Sequence, residues 1–315
     1  SDYRHHIPVS PLMGHQRIFR LGDVPYNIKM LPFSIIRLFW LGLFPVWLVL
    51  LIPHVSMARP LRVVSLNLCT DQLLQTLADP EQIAGLSPLA RDPSLSILAS
   101  DAALRPRLAP SSEALMLIQP DLVLMGPYDP PLIRARLQQS GITLLTLPAW
   151  TNLPEGIEQI RSLAKTLDQI QRGESLIAEI ETALHKSHRK NLDRTRKVLE
   201  IERRLYSPGH TSLISTLLTE WKIPNLSDDF GLAQGGFLAL EKLVLHKPDR
   251  LIISNGSERV LDMQQPQSDD LGLALLRHPS LKAATLEMIS IPARLTLCGG
   301  PATPVLIEHL SDALQ

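Results

Sequence analysis

Two cysteines, Cys69 and Cys298, are the only thiols in the chain. A structural zinc site takes four ligands, so two sulfurs cannot build one alone. In an oxidising compartment the pair can bond. Left apart, they offer soft contacts to a ligand or to a metal it carries. Each ends an apolar run read as a strand, VVSLNL before Cys69 and ARLTL before Cys298. Both are therefore expected on the ligand-binding side of parallel sheets. The ten histidines are scattered, and His5 and His6 fall in a doubtful N-terminal extension. His210, beside Gly209, reads either as a ligand contact or as a solvated loop side chain. There is no GxxxxGK-S/T phosphate loop, no HExxH, no GxSxG and no Gly-rich dinucleotide turn. Gly299-Gly300-Pro301 reads as a turn. Nothing assembles a nucleophile, a base and an orienting group, so catalysis is not expected.

The elements that must position these residues alternate. Leu61–Cys69 reads as a buried strand, and Asp71–Asp79 has helical spacing, with Leu73, Leu74 and Leu77 on one face. A short strand over 82–87 precedes a Pro-, Ser- and Arg-rich surface loop over 87–111. Helices over 112–119 and 131–140 then alternate with strands over 121–125 and 143–147. Apolar residues recur at helical intervals from Ile157 to Leu184 with no strand signal. That pattern predicts one long helix broken near Gly173. Alternation then resumes, with strands over 197–205, 250–254 and 293–297 and helices over 213–221, 240–246, 270–276 and 304–314. Strands alternating with helices predict an α/β fold of two lobes, each with a mostly parallel sheet flanked by helices, joined by one long helix. The expected limits are 1–58 for an extension and export segment, 59–153 for the first lobe, 154–190 for the linking helix and 191–315 for the second lobe.

An internal repeat supports two related lobes. Glu113-Ala-Leu-Met-Leu-Ile-Gln-Pro-Asp121 matches Glu241-Lys-Leu-Val-Leu-His-Lys-Pro-Asp249, with Glu, two Leu, Pro and Asp at identical offsets. In both, a Glu favours the first helical turn and Pro-Asp ends the helix before an apolar strand.

Lys plus Arg equals Asp plus Glu, 31 each, so no basic field points to nucleic acid. The uncharged run Leu38–Pro53 is shorter than a membrane span of about 20 residues and fits the core of a signal peptide. Ser56 and Ala58 supply the small residues that precede cleavage, so a mature start at Arg59 is expected. Retention of that segment as an anchor is the other reading. No small residue precedes Cys69, which argues against lipid attachment there.

Four blocks carry a resemblance: RVVSLNLCTDQLLQTLADPEQIAGLS, SSEALMLIQPDLVL, FGLAQGGFLALEKLVLHKPDRLII and LTLCGGPATPVLIEHL. They resemble the periplasmic binding proteins of ABC importers for cobalamin, haem and iron–siderophores, over about residues 61–315. The resemblance implies a monomeric, non-enzymatic carrier with one small-molecule ligand between its lobes, no cofactor, and little movement on binding. It also implies that Glu113 and Glu241, one per lobe, dock onto arginines of a permease dimer. The carboxyl ends of the strands nominate Cys69, Thr70, Arg91, Tyr128, Trp150, Tyr206, His210 and Cys298 as ligand contacts. A membrane-anchored sensor with the same fold is the alternative. An enzyme of chelatase-like architecture would need a His–carboxylate cluster at the strand ends, and none is seen.

Overall fold

The structure, a computed structural model, describes residues 61–109, 111–246, 248–255, 278–279 and 286–315. The export segment and the helix expected over 270–276 lie outside the described residues. No helix among the described residues is long and apolar enough to cross a membrane.

The first lobe is built on four parallel strands, β1 (Val63–Ser65), β2 (Ile83–Gly85), β3 (Leu122–Met125) and β4 (Thr143–Thr146), in the order β2-β1-β3-β4. Around them lie α1 (Leu68–Leu77), α2 (Ala99–Ala102), α3 (Ser112–Ile118), α4 (Pro131–Gln139) and α5 (Leu153–Thr166). The second lobe has three parallel strands, β5 (Val198–Ile201), β8 (Arg250–Asn255) and β9 (Glu287–Pro292), in the order β5-β8-β9. A two-stranded antiparallel pair, β6 (Tyr206–Ser207) and β7 (Gly236–Phe237), stands apart. Its helices are α7 (Leu213–Glu220), α8 (Leu240–His246), α9 (Ala293–Thr296) and α10 (Thr303–Ala313). The helix α6 (Ile170–His188) joins the lobes and spans about 28 Å at 1.5 Å per residue.

Strands β1, β3 and β5 are buried on both faces, and the side chains of the sheets alternate between two environments. Val63, Leu122, Leu124, Val198 and Ile252 belong to one large apolar cluster, which also takes Leu163, Ile177, Ile180, Leu217 and Leu310. The intervening residues Val64, Val123 and Met125 fall in a cluster confined to the first lobe. Leu199, Ile201, Leu251 and Ile253 do the same in the second. The period of two thus turns one face of each sheet toward a core that runs through both lobes.

Several expectations are corrected. The chain leaves β1 at Ser65, and Asn67 caps a helix by accepting hydrogen bonds from the N–H groups of Cys69 (3.1 Å) and Thr70 (3.2 Å). Cys69 therefore sits in the first turn of α1 and does not end a strand. Residues 293–297 are likewise not a strand; β9 precedes them and α9 occupies Ala293–Thr296. The segment 87–111 contains a 3-10 turn over Pro88–Arg91 and α2. The strand read over 197–205 stops at Ile201 and gives way to a 3-10 turn over Arg203–Leu205.

The expected single helix over 154–190 is two helices. The break falls at Leu167–Gln169, where Asp168 takes a left-handed φ of 58°. Gly173 lies inside α6, and a Cβ there would meet the Ala164 side chain at 2.5 Å, so the residue permits close packing of α5 on α6 and does not break the helix. The break is tied to the first lobe: Asp79 accepts from Gln169 at 2.7 Å and pairs with Arg172 at 2.5 Å. At the other end, Trp221 of the second lobe donates to Ser187 at 2.9 Å.

The internal repeat does the same structural work twice. Asp121 accepts a hydrogen bond from the Arg62 N–H, and Asp249 accepts one from the Lys197 N–H, each at 2.7 Å. Each aspartate latches the start of one strand to the start of its neighbour. Replacing either by alanine removes a charge-assisted bond, so Asp121→Ala and Asp249→Ala should each cost about 1–3 kcal/mol. Urea unfolding of the single and double variants checks this. Near-additive losses are expected from sites in separate lobes.

Candidate functional site

A cavity of about 180 Å³ lies between the two lobes, and both contribute to its wall. From the first lobe come Cys69, Thr70 and Leu73 of α1, the segment Leu147–Trp150 after β4, and Gln159 of α5. The second lobe supplies Glu200 of β5 and Glu202 just past its end, Pro208, Thr211–Leu213 at the start of α7, and the stretch from Thr296, the last residue of α9, to Gly299. The cavity thus opens beyond the carboxyl ends of the strands, where ligands of open α/β sheets sit.

Cys69 and Cys298 form a disulfide across this wall, with Cα atoms 5.1 Å apart and a sequence separation of 229. The bridge resolves the alternative the sequence leaves open: the sulfurs are bonded to each other and are not free to ligate a metal. On the chain-entropy account, closing a loop of that length constrains the unfolded chain by about 5 kcal/mol. Beside the bridge sits Trp150, which is 6% exposed. Its indole donates to Gln159 at 3.0 Å, and Gln159 donates in turn to the Pro148 carbonyl at 2.8 Å. A Cβ added at Gly156 of α5, or at Gly299 of the second lobe, would meet the indole at 2.2 Å. Only glycine leaves room for the ring at either place, and Gly299 follows directly on Cys298.

Two carboxyls in the wall are unusual. Glu200 is 2% exposed in the middle of β5, and burial pushes its carboxyl up to about 8. Ser212, the cap of α7, accepts from the Ser215 N–H at 2.9 Å and donates its own hydroxyl to Glu200. Burial also raises Glu202. Asp71, raised to about 6 by burial, lies outside the cavity and is held by the Ser87 N–H at 3.0 Å and its hydroxyl at 2.5 Å. Among the described residues no group of three or more His, Cys, Asp or Glu converges to hold a metal.

Of the eight nominated contacts, Cys69, Thr70, Trp150 and Cys298 meet in this cavity. The other four do not line it. Arg91 donates to the Arg105 carbonyl at 2.6 Å within its own loop. Tyr128 is 91% exposed on the turn after β3. Tyr206 packs edge-on against Phe237, with centroids 5.3 Å apart. His210 lies 2.8 Å from Asp228 and 3.4 Å from Ser215. Sequence reasoning missed Gln159, Glu200, Glu202 and Ser212. A signal for Glu200 existed, a lone acid inside the buried strand VLEI.

Two α/β lobes, one joining helix and a cavity walled by both define a cleft-type binding protein. The family model for periplasmic binding proteins matches residues 63–270, and the chain belongs to that family. No curated protein sequence matches it. Among solved structures, the periplasmic heme-binding protein RhuT from Roseiflexus sp. RS-1 is similar at 19% identity and TM-score 0.59, covering 81% of this chain and 97% of that one. The periplasmic heme-binding protein BhuT, solved with two hemes, is similar at 20% identity and TM-score 0.62, covering 81% and 99%. A periplasmic heme-binding protein from Pseudomonas aeruginosa is similar at 18% identity and TM-score 0.61, covering 81% and 92%.

A carboxyl raised from 4.5 to about 8 in the fold binds its proton more tightly there than in the unfolded chain. Its contribution to stability is full below pH 4.5 and is lost as pH rises through about 8. Glu200→Gln keeps the shape without the charge. Urea unfolding at pH 5 and pH 9 should show the wild type losing on the order of a few kcal/mol more than the variant. Equal pH dependence in both would refute the assignment.

Proposed function

We infer that the chain is the exported solute-binding component of an ABC importer. It takes an iron chelate, haem or corrinoid between its lobes and hands it to a permease dimer in the inner membrane. The cavity walled by both lobes carries this reading, since a ligand seated there touches both at once. Membership of the periplasmic binding protein family supports a periplasmic location and a non-enzymatic role. The solved relatives that bind heme support a flat or compact metal chelate as cargo. Cys69, Thr70, Trp150 and Cys298 are the ligand contacts on this reading, joined by Gln159, Glu200 and Glu202. The functional unit is a monomer that runs from Arg59, with lobes over 59–153 and 191–315, and it has no nucleic-acid partner.

Permease docking falls to the repeated helices. Glu113 of α3 and Glu241 of α8 are both exposed, and each is followed one turn later by an exposed leucine. Leu117 is 86% exposed and Leu245 is 77% exposed. The same surface therefore occurs once on each lobe, and a two-fold partner can engage both copies. Glu113 lies 3.4 Å from Arg136, an exposed pair that costs little to exchange for an arginine of a partner.

Reversing both charges turns attraction into repulsion at each contact. Glu113→Arg with Glu241→Arg should abolish uptake by a reconstituted transporter while ligand affinity stays within about twofold. Normal uptake by the double variant would rule the docking role out.

A further inference from the structure

Among the described residues, the wall of the inter-lobe cavity carries acid and no base. Its ionisable side chains are Glu200 and Glu202, and no Lys, Arg or His is among the described residues that line it. The remaining wall is apolar or neutral, from Leu73, Leu147 and Trp150 to Thr70 and Thr211. At about 180 Å³ the space is smaller than the roughly 300–1,000 Å³ that encloses a drug-sized ligand, so only one edge of a large chelate can enter. The Cys69–Cys298 bridge joins the two sides of the wall and holds that dimension.

Glu200 determines what that edge can be. Ser212 is its one hydrogen-bond partner among the described residues, and the serine hydroxyl has a single proton to give. Ser212 gives that proton to one Glu200 oxygen and accepts from the Ser215 N–H with its own oxygen. The other oxygen is left to carry the acid proton and present it to the cavity. A carboxylate entering here would meet two acids and, among the described residues, no counter-charge, and would leave its hydration behind. A carboxamide or hydroxamate oxygen meets an O–H donor and loses little hydration.

We propose, resting on the carrier reading above, that this cavity selects its cargo by the charge of the inserted edge, taking an uncharged carboxamide or hydroxamate and excluding a carboxylate. The cargo is then an amide-fringed corrinoid or a hydroxamate iron chelate, and not a chelate that inserts carboxylates.

The test uses the full chain, expressed with its export segment and purified from the periplasm. Cyanocobalamin and ferrioxamine B are compared with hemin and ferric dicitrate by calorimetry and tryptophan quenching. One of the first pair should bind at least about tenfold tighter than either of the second. Glu200→Leu, an apolar replacement in an apolar strand, should weaken the preferred ligand about tenfold by removing the donor. Glu202→Arg should strengthen ferric dicitrate or hemin by about the same factor. Tighter binding of hemin or ferric dicitrate to the wild type overturns this proposal and leaves the carrier reading standing. So does a preferred ligand whose affinity neither variant changes. Failure of all four chelates to bind overturns the carrier reading, and the proposal falls with it.

Discussion

The bond between Cys69 and Cys298 is the constraint around which the molecule is organised. It ties the first turn of the first lobe's leading helix to the loop before the last helix of the second. Positions at opposite ends of the folded chain are thereby fixed at one wall of one cavity. Trp150 fills the space beside the bridge because Gly156 and Gly299 each leave its indole room. A side chain at either glycine would push the ring into the cavity or part the lobes. With Asp79 holding the start of α6 and Ser187 holding its end, the joint has little freedom.

The same geometry explains why a carboxylic acid is tolerated inside β5. Val198 points into the apolar core shared by the lobes, while Leu199 and Ile201 point into the second lobe's own cluster. Glu200 shares the face of Val198 but lies further toward the carboxyl end of the strand, where the core gives way to the cavity. The acid is thus out of water yet has a free side, and Ser212 satisfies the rest. An unpaired ionised carboxylate there would be costly, so the group keeps its proton near neutral pH. Such a proton is available to a ligand.

Much of this was legible in the chain. Leu73, Leu74 and Leu77 announce α1 by their spacing, and the Glu–Pro–Asp repeat marks the same helix–strand corner in both lobes. The latching of Asp121 and Asp249 gives that repeat a physical reason. Local ambiguity accounts for most errors. A short apolar run such as ARLTL fits a strand or a helical turn equally well. The Asn67 cap moves Cys69 from the expected strand into a helix. Gly173 looked like a helix breaker because sequence does not show the neighbour it accommodates. The meeting of Trp150 with Gly299 could not be read at all, since nothing local in either segment signals a partner across the lobe boundary. Arg91 and His210 are nominated by the carboxyl ends of the strands, and each is taken up by a partner in its own lobe.

The central claim is that an exported carrier holds a small chelate between these lobes. Native mass spectrometry of the protein purified from its own host tests it most directly. The account predicts a chain beginning at Arg59 with one metal chelate or corrinoid bound, released when the protein is denatured. A chain that retains residues 38–53 and carries no ligand, even after growth with the chelates supplied, would contradict it.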